Sequence, residues 1–226
     1  DKTIRDSIAA WEDLISFTQK YTKIFIEDIK KLNIVPADNI VPVTTLIPEM
    51  VRMIQTMINR KNAYLWEDGS VYFDVKTFKK YWNLAWIDMC NCGLQAGARV
   101  NSDEYDKENV ADFVLWKAWK ESDWANFWNE KFTINGSEVI LKWRPGWHIE
   151  CSACNMKYFG AQIDIHMWGV DLIFPHHQNE IAQTESCSRK EFSKYWLHSG
   201  HLMVDGKKMA KSANNVYRLK DLEEKY

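Results

Sequence analysis

Between Ile4 and Leu32 apolar side chains recur at helical spacing, at Ile4, Ile8, Trp11, Ile15, Phe25, Ile29 and Leu32, with Lys, Glu and Asp between them. A period near 3.6 gathers these side chains on one face, so the stretch predicts one long helix with a buried stripe and a wet back. Pro36, Asp38, Asn39 and Pro42 then break the pattern. Thr44-Thr45 can cap a second helix that carries Ile47, Met50, Val51, Ile54, Met57 and Ile58 and ends near 59–62. Two β-prone runs, 63–66 and 71–73, flank Glu67-Asp68-Gly69-Ser70 and predict a hairpin around the Asp-Gly turn. Residues 79–143 are rich in Trp and charge and show no sustained period. Phe113-Val114-Leu115-Trp116 and Glu138-Val139-Ile140-Leu141 are strand-like pieces within this predicted irregular α+β insertion.

Beyond Arg144-Pro145-Gly146 the pattern changes. Residues 148–158 suit a helix, 162–165 and 170–174 suit short buried strands, and Pro175 stands where a helix over 176–188 would place its first residue. Strand followed at once by helix, twice over, predicts a parallel α/β sheet, whose ligands gather at the carboxyl ends of the strands.

Composition narrows the class. The 226 residues are 46% apolar and 27% charged, enough for a folded chain of one large domain or two modest ones. With 29 Lys+Arg against 31 Asp+Glu, the net charge of −2 excludes nucleic-acid binding by overall basicity and leaves only a local patch for such a partner. No run approaches the ~18–20 apolar residues that span a bilayer, so no membrane association is expected. The opening Asp1-Lys2-Thr3-Ile4-Arg5 has neither an initiator Met nor a signal-peptide core, and predicts a cytoplasmic chain taken from a longer one. The odd set Cys90, Cys92, Cys151, Cys154 and Cys187 favours free thiols or metal ligands over disulfides.

Two constellations carry candidate chemistry. In Phe174-Pro175-His176-His177-Gln178-Asn179-Glu180, His176 and Glu180 lie four apart and would share a helix face, so an imidazole nitrogen and a carboxylate oxygen can converge. Trp147-His148-Ile149-Glu150-Cys151 adds a thiol, and Cys, His and Glu together are ligands that zinc accepts. Spacing alone leaves open a solvated His–Glu face. It also leaves open a Cys151-x-x-Cys154 pair acting in redox chemistry or as half a zinc ribbon, or a Cys154 that is merely a small buried residue. The second constellation is Val204-Asp205-Gly206-Lys207-Lys208-Met209-Ala210-Lys211-Ser212, where lysines beside a Gly turn form either a phosphate-holding loop or a solvated surface.

Trp147-His148-Ile149-Glu150-Cys151-Ser152-Ala153, Phe174 through Gln183 and Lys208-Met209-Ala210-Lys211-Ser212, in this order and spacing, closely resemble cysteinyl-tRNA synthetases. Leu94-Gln95-Ala96-Gly97-Ala98-Arg99-Val100 and Asp112 through Lys117 extend the resemblance, which covers essentially the whole chain. It implies the second half of a class I nucleotide-binding, Rossmann-like parallel sheet domain, an α/β fold, with a large irregular α+β insertion. The division implied is a helix over 1–32 leading out of the first catalytic half, a connective insertion at 33–143, and the second catalytic half at 144–226.

The resemblance further implies ATP-dependent attachment of cysteine to tRNA(Cys) through a cysteinyl-adenylate, with ATP used alongside magnesium. Cys151, His176 and Glu180 match zinc ligands, Trp147 the lining of the amino-acid pocket, and Gly169 and Asp171 an adenosine-contacting turn. Lys208 and Lys211 match the signature loop that acts on the ATP phosphates. A fourth zinc ligand and the His-Ile-Gly-His-like ATP motif of the family fall outside these residues, so the chain alone is expected to be inactive. Met167 and Trp168 stand where the family usually has glycines, and Ala210 replaces the first signature serine. A monomer is expected. The alternatives are a cysteine–amino-sugar ligase of the same superfamily and a non-catalytic zinc-binding fragment.

Overall fold

The structure is a computed structural model that describes residues 2–85, 99–100, 112–123, 126–210 and 213–225. Cys90, Cys92, 94–98 of the Leu94-to-Val100 motif, Lys211 and Ser212 lie outside the described residues. The chain divides into two units, one formed by 1–40 with 201–226 and the other by 41–200.

In the first unit the expected single helix is two, α1 (Lys2–Ala9) and α2 (Leu14–Lys31). The break has a local cause. Trp11 takes a left-handed backbone with φ of 55°, and the Asp13 carboxylate accepts the Ser16 N–H at 3.0 Å. Asp13 therefore caps a fresh helix instead of continuing an old one, a competition that periodicity does not register. The expected buried stripe also differs: α2 contains no buried residue, and Ile15, Tyr21 and Phe25 of its apolar face are 68%, 53% and 53% exposed. Strands β9 (Met203–Val204) and β10 (Lys207–Lys208) form a tight hairpin on the left-handed pair Asp205-Gly206, and α6 (Leu219–Glu223) follows. An ion pair of 2.8 Å joins Lys31 of α2 to Glu223 of α6.

In the second unit, α3 (Ile47–Asn59) opens from a 3-10 turn over Val43–Leu46, and Pro48 occupies its first turn, where a missing N–H costs nothing. Its Met50, Met53, Ile54 and Met57 are buried. The predicted hairpin is present as β1 (Ala63–Leu65) against β2 (Val71–Phe73), with Tyr64 opposite Tyr72. Among the described residues these two strands belong to a sheet ordered β1-β2-β4-β6-β5, with β4 (Asp112–Ala118), β5 (Trp128–Ile134) and β6 (Ser137–Pro145), while β3 (Arg99–Val100) runs parallel beside β4. Central β4 is buried along nearly its whole length, which explains its continuous apolar run. Strands β5 and β6 pair from Trp128↔Trp143 to Ile134↔Ser137 around Asn135-Gly136, both left-handed. Phe73, Leu115, Trp116, Phe132 and Trp143 of this sheet share one core with α3.

The last elements hold the α/β grammar: α4 (Ile149–Phe159), β7 (Ile163–Gly169), α5 (Gln178–Ser188) and β8 (Ser193–Ser199). Strands β7 and β8 are parallel, from Ile163↔Ser193 to Gly169↔Ser199, and α5 makes the crossover, so a parallel α/β unit forms, but its second strand is β8, which the sequence pattern did not predict. The strand expected at 170–174 is absent. A 3-10 turn occupies Val170–Leu172, and of the next five residues only Phe174 is extended, with φ of −136° and ψ of 134°. Pro175 disfavours a helical residue before it, so Phe174 is held open and α5 begins at Gln178, two residues later than expected.

Candidate metal and substrate site

The site is assembled where α4 meets α5. Gly146 starts it: its N–H donates to Leu115 O at 2.9 Å, and a Cβ added there would lie 2.9 Å from the Val114 carbonyl carbon and closer still to its oxygen. Only glycine lets the chain leave β6 this close to β4. Trp147 and His148 follow, the latter with φ of 83°, and α4 then presents Cys151. Ser152 ties the helices together by donating to Gln183 Oε1 at 2.6 Å.

Cys151, His176 and Glu180 converge, with the thiol sulfur, a ring nitrogen and a carboxylate oxygen all within 4.8 Å of one another. Zinc bonds of about 2.0–2.3 Å arranged tetrahedrally would draw such atoms slightly closer. His176 Nε2 stands 3.8 Å from Glu180 Oε1. Glu180 is fully buried, and its Oε1 has no hydrogen-bond partner, whereas Oε2 accepts from His166 Nε2 at 2.7 Å. A buried carboxylate oxygen without a donor is costly unless a cation meets it. The solvated-face reading of His176 and Glu180 is therefore excluded, and the residues present fit a zinc ion.

Neighbouring groups orient these three side chains. His148 Nδ1 lies 2.8 Å from His176 Nδ1, which leaves His176 Nε2 free to face Glu180. Second partners of this kind hold a ligating imidazole in one tautomer. Burial pushes the His148 pKa well below its ordinary value, with His176 and Lys117 adding to the effect. Burial also lowers that of His176, although Glu180 opposes the shift. His177 falls to about 3 through burial and the nearby His166, His176 and His198. The three rings are thus neutral near pH 7, the form that ligates metal. The Cys151 thiol is pushed up, by burial first and then by Glu150 and Glu180, and a bound cation would reverse that balance. Trp147 stacks on His148 at 4.6 Å between centroids and lies 4.9 Å from the His176 ring, as one wall beside the ligands.

Other predicted residues lie elsewhere. Gly169 ends β7, and the exposed Asp171 occupies the turn after it, at the carboxyl edge of the parallel pair. Met167 and Trp168, 59% and 65% exposed, take ordinary strand backbone. Lys208 belongs to the other unit, on β10. Cys154 is half-buried, packs against the hydrophobic core and is outside the converging group, which favours its reading as a small packing residue. Sequence reasoning missed the histidine ensemble. A second trio, His166, His177 and Glu180, also converges, and His177 Nδ1 lies 2.8 Å from His198 Nε2. Its signal was two histidines on adjacent parallel strands facing the His-rich turn, which required knowledge of β8.

Among the described residues no helix is long and apolar enough to cross a membrane. The whole chain, residues 1–226, matches the family model described as the tRNA synthetases class I (C) catalytic domain. It is 48% identical over 223 residues to a cysteine–tRNA ligase of Chlamydia felis, covering 98% of this chain and 45% of that one. A cysteine–tRNA ligase of Brachyspira hyodysenteriae is 48% identical over 226 residues, covering 100% of this chain and 46% of the relative. The chain thus spans a little under half the length of these relatives. Among solved structures, Mycobacterium tuberculosis methionyl-tRNA synthetase in complex with methionyl-adenylate shares the fold, with a TM-score of 0.59 at 14% identity, over 99% of this chain and 52% of that one. With the parallel β7-α5-β8 unit and the separate mixed sheet of β1 to β6, these matches place the chain in the class I tRNA synthetase (C) catalytic-domain family, a Rossmann-like α/β fold.

Proposed function

We propose that this chain is part of a cysteine–tRNA ligase that joins cysteine to tRNA(Cys) through a cysteinyl-adenylate, using ATP with magnesium, and that Cys151, His176 and Glu180 hold a zinc ion that selects the substrate. The observation that carries the reading is the buried Glu180 Oε1, unpaired and facing a thiol and an imidazole. Zinc bound there would supply a soft Lewis acid that accepts a substrate thiolate in preference to a hydroxyl. A purely apolar pocket separates near-isosteres by only ~1–3 kcal/mol.

This chain's own residues divide the remaining work. Trp147, its ring tilted 4.9 Å from that of His176, closes one wall of the amino-acid pocket and excludes water from it. Gly169 and Asp171, at the carboxyl edge of β7, approach the adenosine, as the position of ligands in parallel α/β sheets suggests. Lys208 and Lys211 neutralise the pyrophosphate as negative charge builds, so catalysis rests on positioning and charge stabilisation with no covalent enzyme intermediate. In this reading residues 1–32 lead out of the first catalytic half, 33–143 are the connective insertion, and 144–226 are the second half. The enzyme acts as a cytoplasmic monomer.

The test is cysteine-dependent ATP–pyrophosphate exchange and tRNA charging by the full-length protein. Exchange with cysteine and none with serine is expected, and Cys151→Ala or His176→Ala should raise the cysteine requirement far more than the ATP requirement. Equal effects on both substrates would refute the assigned roles.

A further inference from the structure

The metal-holding helix α5 is unusual in burying its polar residues: Gln178, Asn179, Glu180, Gln183 and Thr184 are all fully inaccessible. Gln178 and Asn179, between ligand-bearing His176 and Glu180, do not face the ligands' side of the site alone. Each is gripped by one short segment of the same unit, 81–85. Tyr81, itself fully buried, donates its hydroxyl to Asn179 Oδ1. Gln178 Oε1 accepts two backbone N–H groups, from Leu84 at 3.2 Å and from Ala85 at 3.3 Å. The Tyr81 ring is fixed in turn, edge-on to Trp82 at 5.2 Å and stacked on Phe113 at 6.2 Å. Phe113 meets His148 edge-on at 6.0 Å, and His148 lies 2.8 Å from His176. Two routes of direct contact therefore run from this segment to the ligand set, one along the α5 backbone and one through the His148 ring.

We infer that Tyr81 is a positioning residue for the metal site: by holding Asn179 it sets the first turn of α5, and with it the angle at which His176 and Glu180 face Cys151. This deepens the proposed function and rests on it, since it presumes that these three side chains bind a metal. His176, just before α5, and Glu180, in its first turn, converge only if that entry has a single conformation, and the first turn of a helix lacks the intrahelical bonds that fix later turns. The side chains of Gln178 and Asn179 replace those constraints with bonds to a neighbouring segment. Outer partners of metal ligands typically change affinity by about 10–100-fold when removed. Tyr81 stands one residue further out, so the low end is expected.

The test titrates cobalt(II) into the full-length protein, following the thiolate-to-cobalt absorption, with Tyr81→Phe compared with the parent and with Tyr72→Phe. The control removes a hydroxyl of the same kind from the same unit, one that donates to Asp68 at 2.8 Å. Expected is a roughly tenfold weaker cobalt affinity for Tyr81→Phe, with altered visible bands, measured well below the melting temperature of the metal-free variant, and an unchanged affinity for Tyr72→Phe. Equal affinities in all three proteins would overturn the inference and leave the zinc reading standing. Equal weakening in both variants would overturn it too, by showing a general loss of stability. A full-length parent that binds no cobalt would sink the zinc reading and this inference together.

Discussion

Glu180→Gln is the sharpest perturbation of the site because it changes charge and ligating power with almost no change in shape. The amide oxygen can still accept from His166 Nε2, now 2.7 Å from Glu180 Oε2, while an amide NH₂ replaces the unpaired Oε1 that faces His176 and Cys151. A donor in that position cannot bind a cation. Structural zinc sites gain about 10–16 kcal/mol over four ligands, so one ligand is worth about 2.5–4 kcal/mol, or ~10²–10³ in affinity. The metal-free chain responds in the opposite sense. Removing a buried carboxylate oxygen that has no donor offsets the ~1–3 kcal/mol of an unpaired amide, so its stability should be unchanged or raised. Two measurements separate these effects. Competition with a chromogenic chelator gives the zinc affinity, and thermal unfolding with and without zinc gives the linkage. At free zinc one hundred times Kd the parent gains ~2.7 kcal/mol, which for a chain of this size raises Tm by about 5–10 °C. The variant, bound ~10²–10³ times more weakly, should gain at most ~0.4 kcal/mol there, a rise of no more than about 2 °C. An unaltered zinc affinity, or a large loss of metal-free stability, would refute the idea that Glu180 is buried in order to ligate.

Zinc affinity should rise about tenfold per pH unit between pH 6.5 and 8, because the buried Cys151 must lose one proton on binding while the depressed His176 has none to lose; a slope near zero or two in a chelator titration contradicts this. Acid should destabilise the metal-free chain: unfolded histidine takes up a proton below about 6.5, whereas His177 resists until about 3, so each pH unit below 6.5 removes ~1.4 kcal/mol for that group in urea titrations. Stability that stays flat from pH 7 to 5 would show that His177 is not held neutral. Gly146→Ala should cost more than ~2 kcal/mol and loosen Trp147 and His148, because the added carbon meets the β4 backbone; a melting curve matching the parent's counts against that packing. Cys154→Ser should leave zinc affinity unchanged while lowering Tm, and a weakened affinity would bring Cys154 into the ligand set.

Much of the fold was legible where local physics acts alone. The Asp68-Gly69 hairpin, the helix over 47–59, the continuous apolar run of β4 and the helix that carries Cys151 all follow from spacing and turn chemistry. Failures occurred where two local preferences compete. Asp13 caps a helix that periodicity would run straight through, and Pro175 forbids the strand-to-helix join that hydrophobicity suggested. The Asn135-Gly136 turn of the β5–β6 hairpin was a signal present in the residues and left unused.

By itself the sequence determined the candidate side chains and their order: a thiol on one predicted helix, an imidazole and a carboxylate four residues apart on another, and lysines beside a Gly turn. Residue identity and helical period need no knowledge of distant chain. Only the tertiary structure decided that Glu180 has no exposure and one unpaired oxygen, that His148 and His166 back the ligands, and that Tyr81 grips the turn between them. Burial and hydrogen-bond satisfaction belong to pairs of residues far apart in the chain. They acquire values only once packing has brought those residues together.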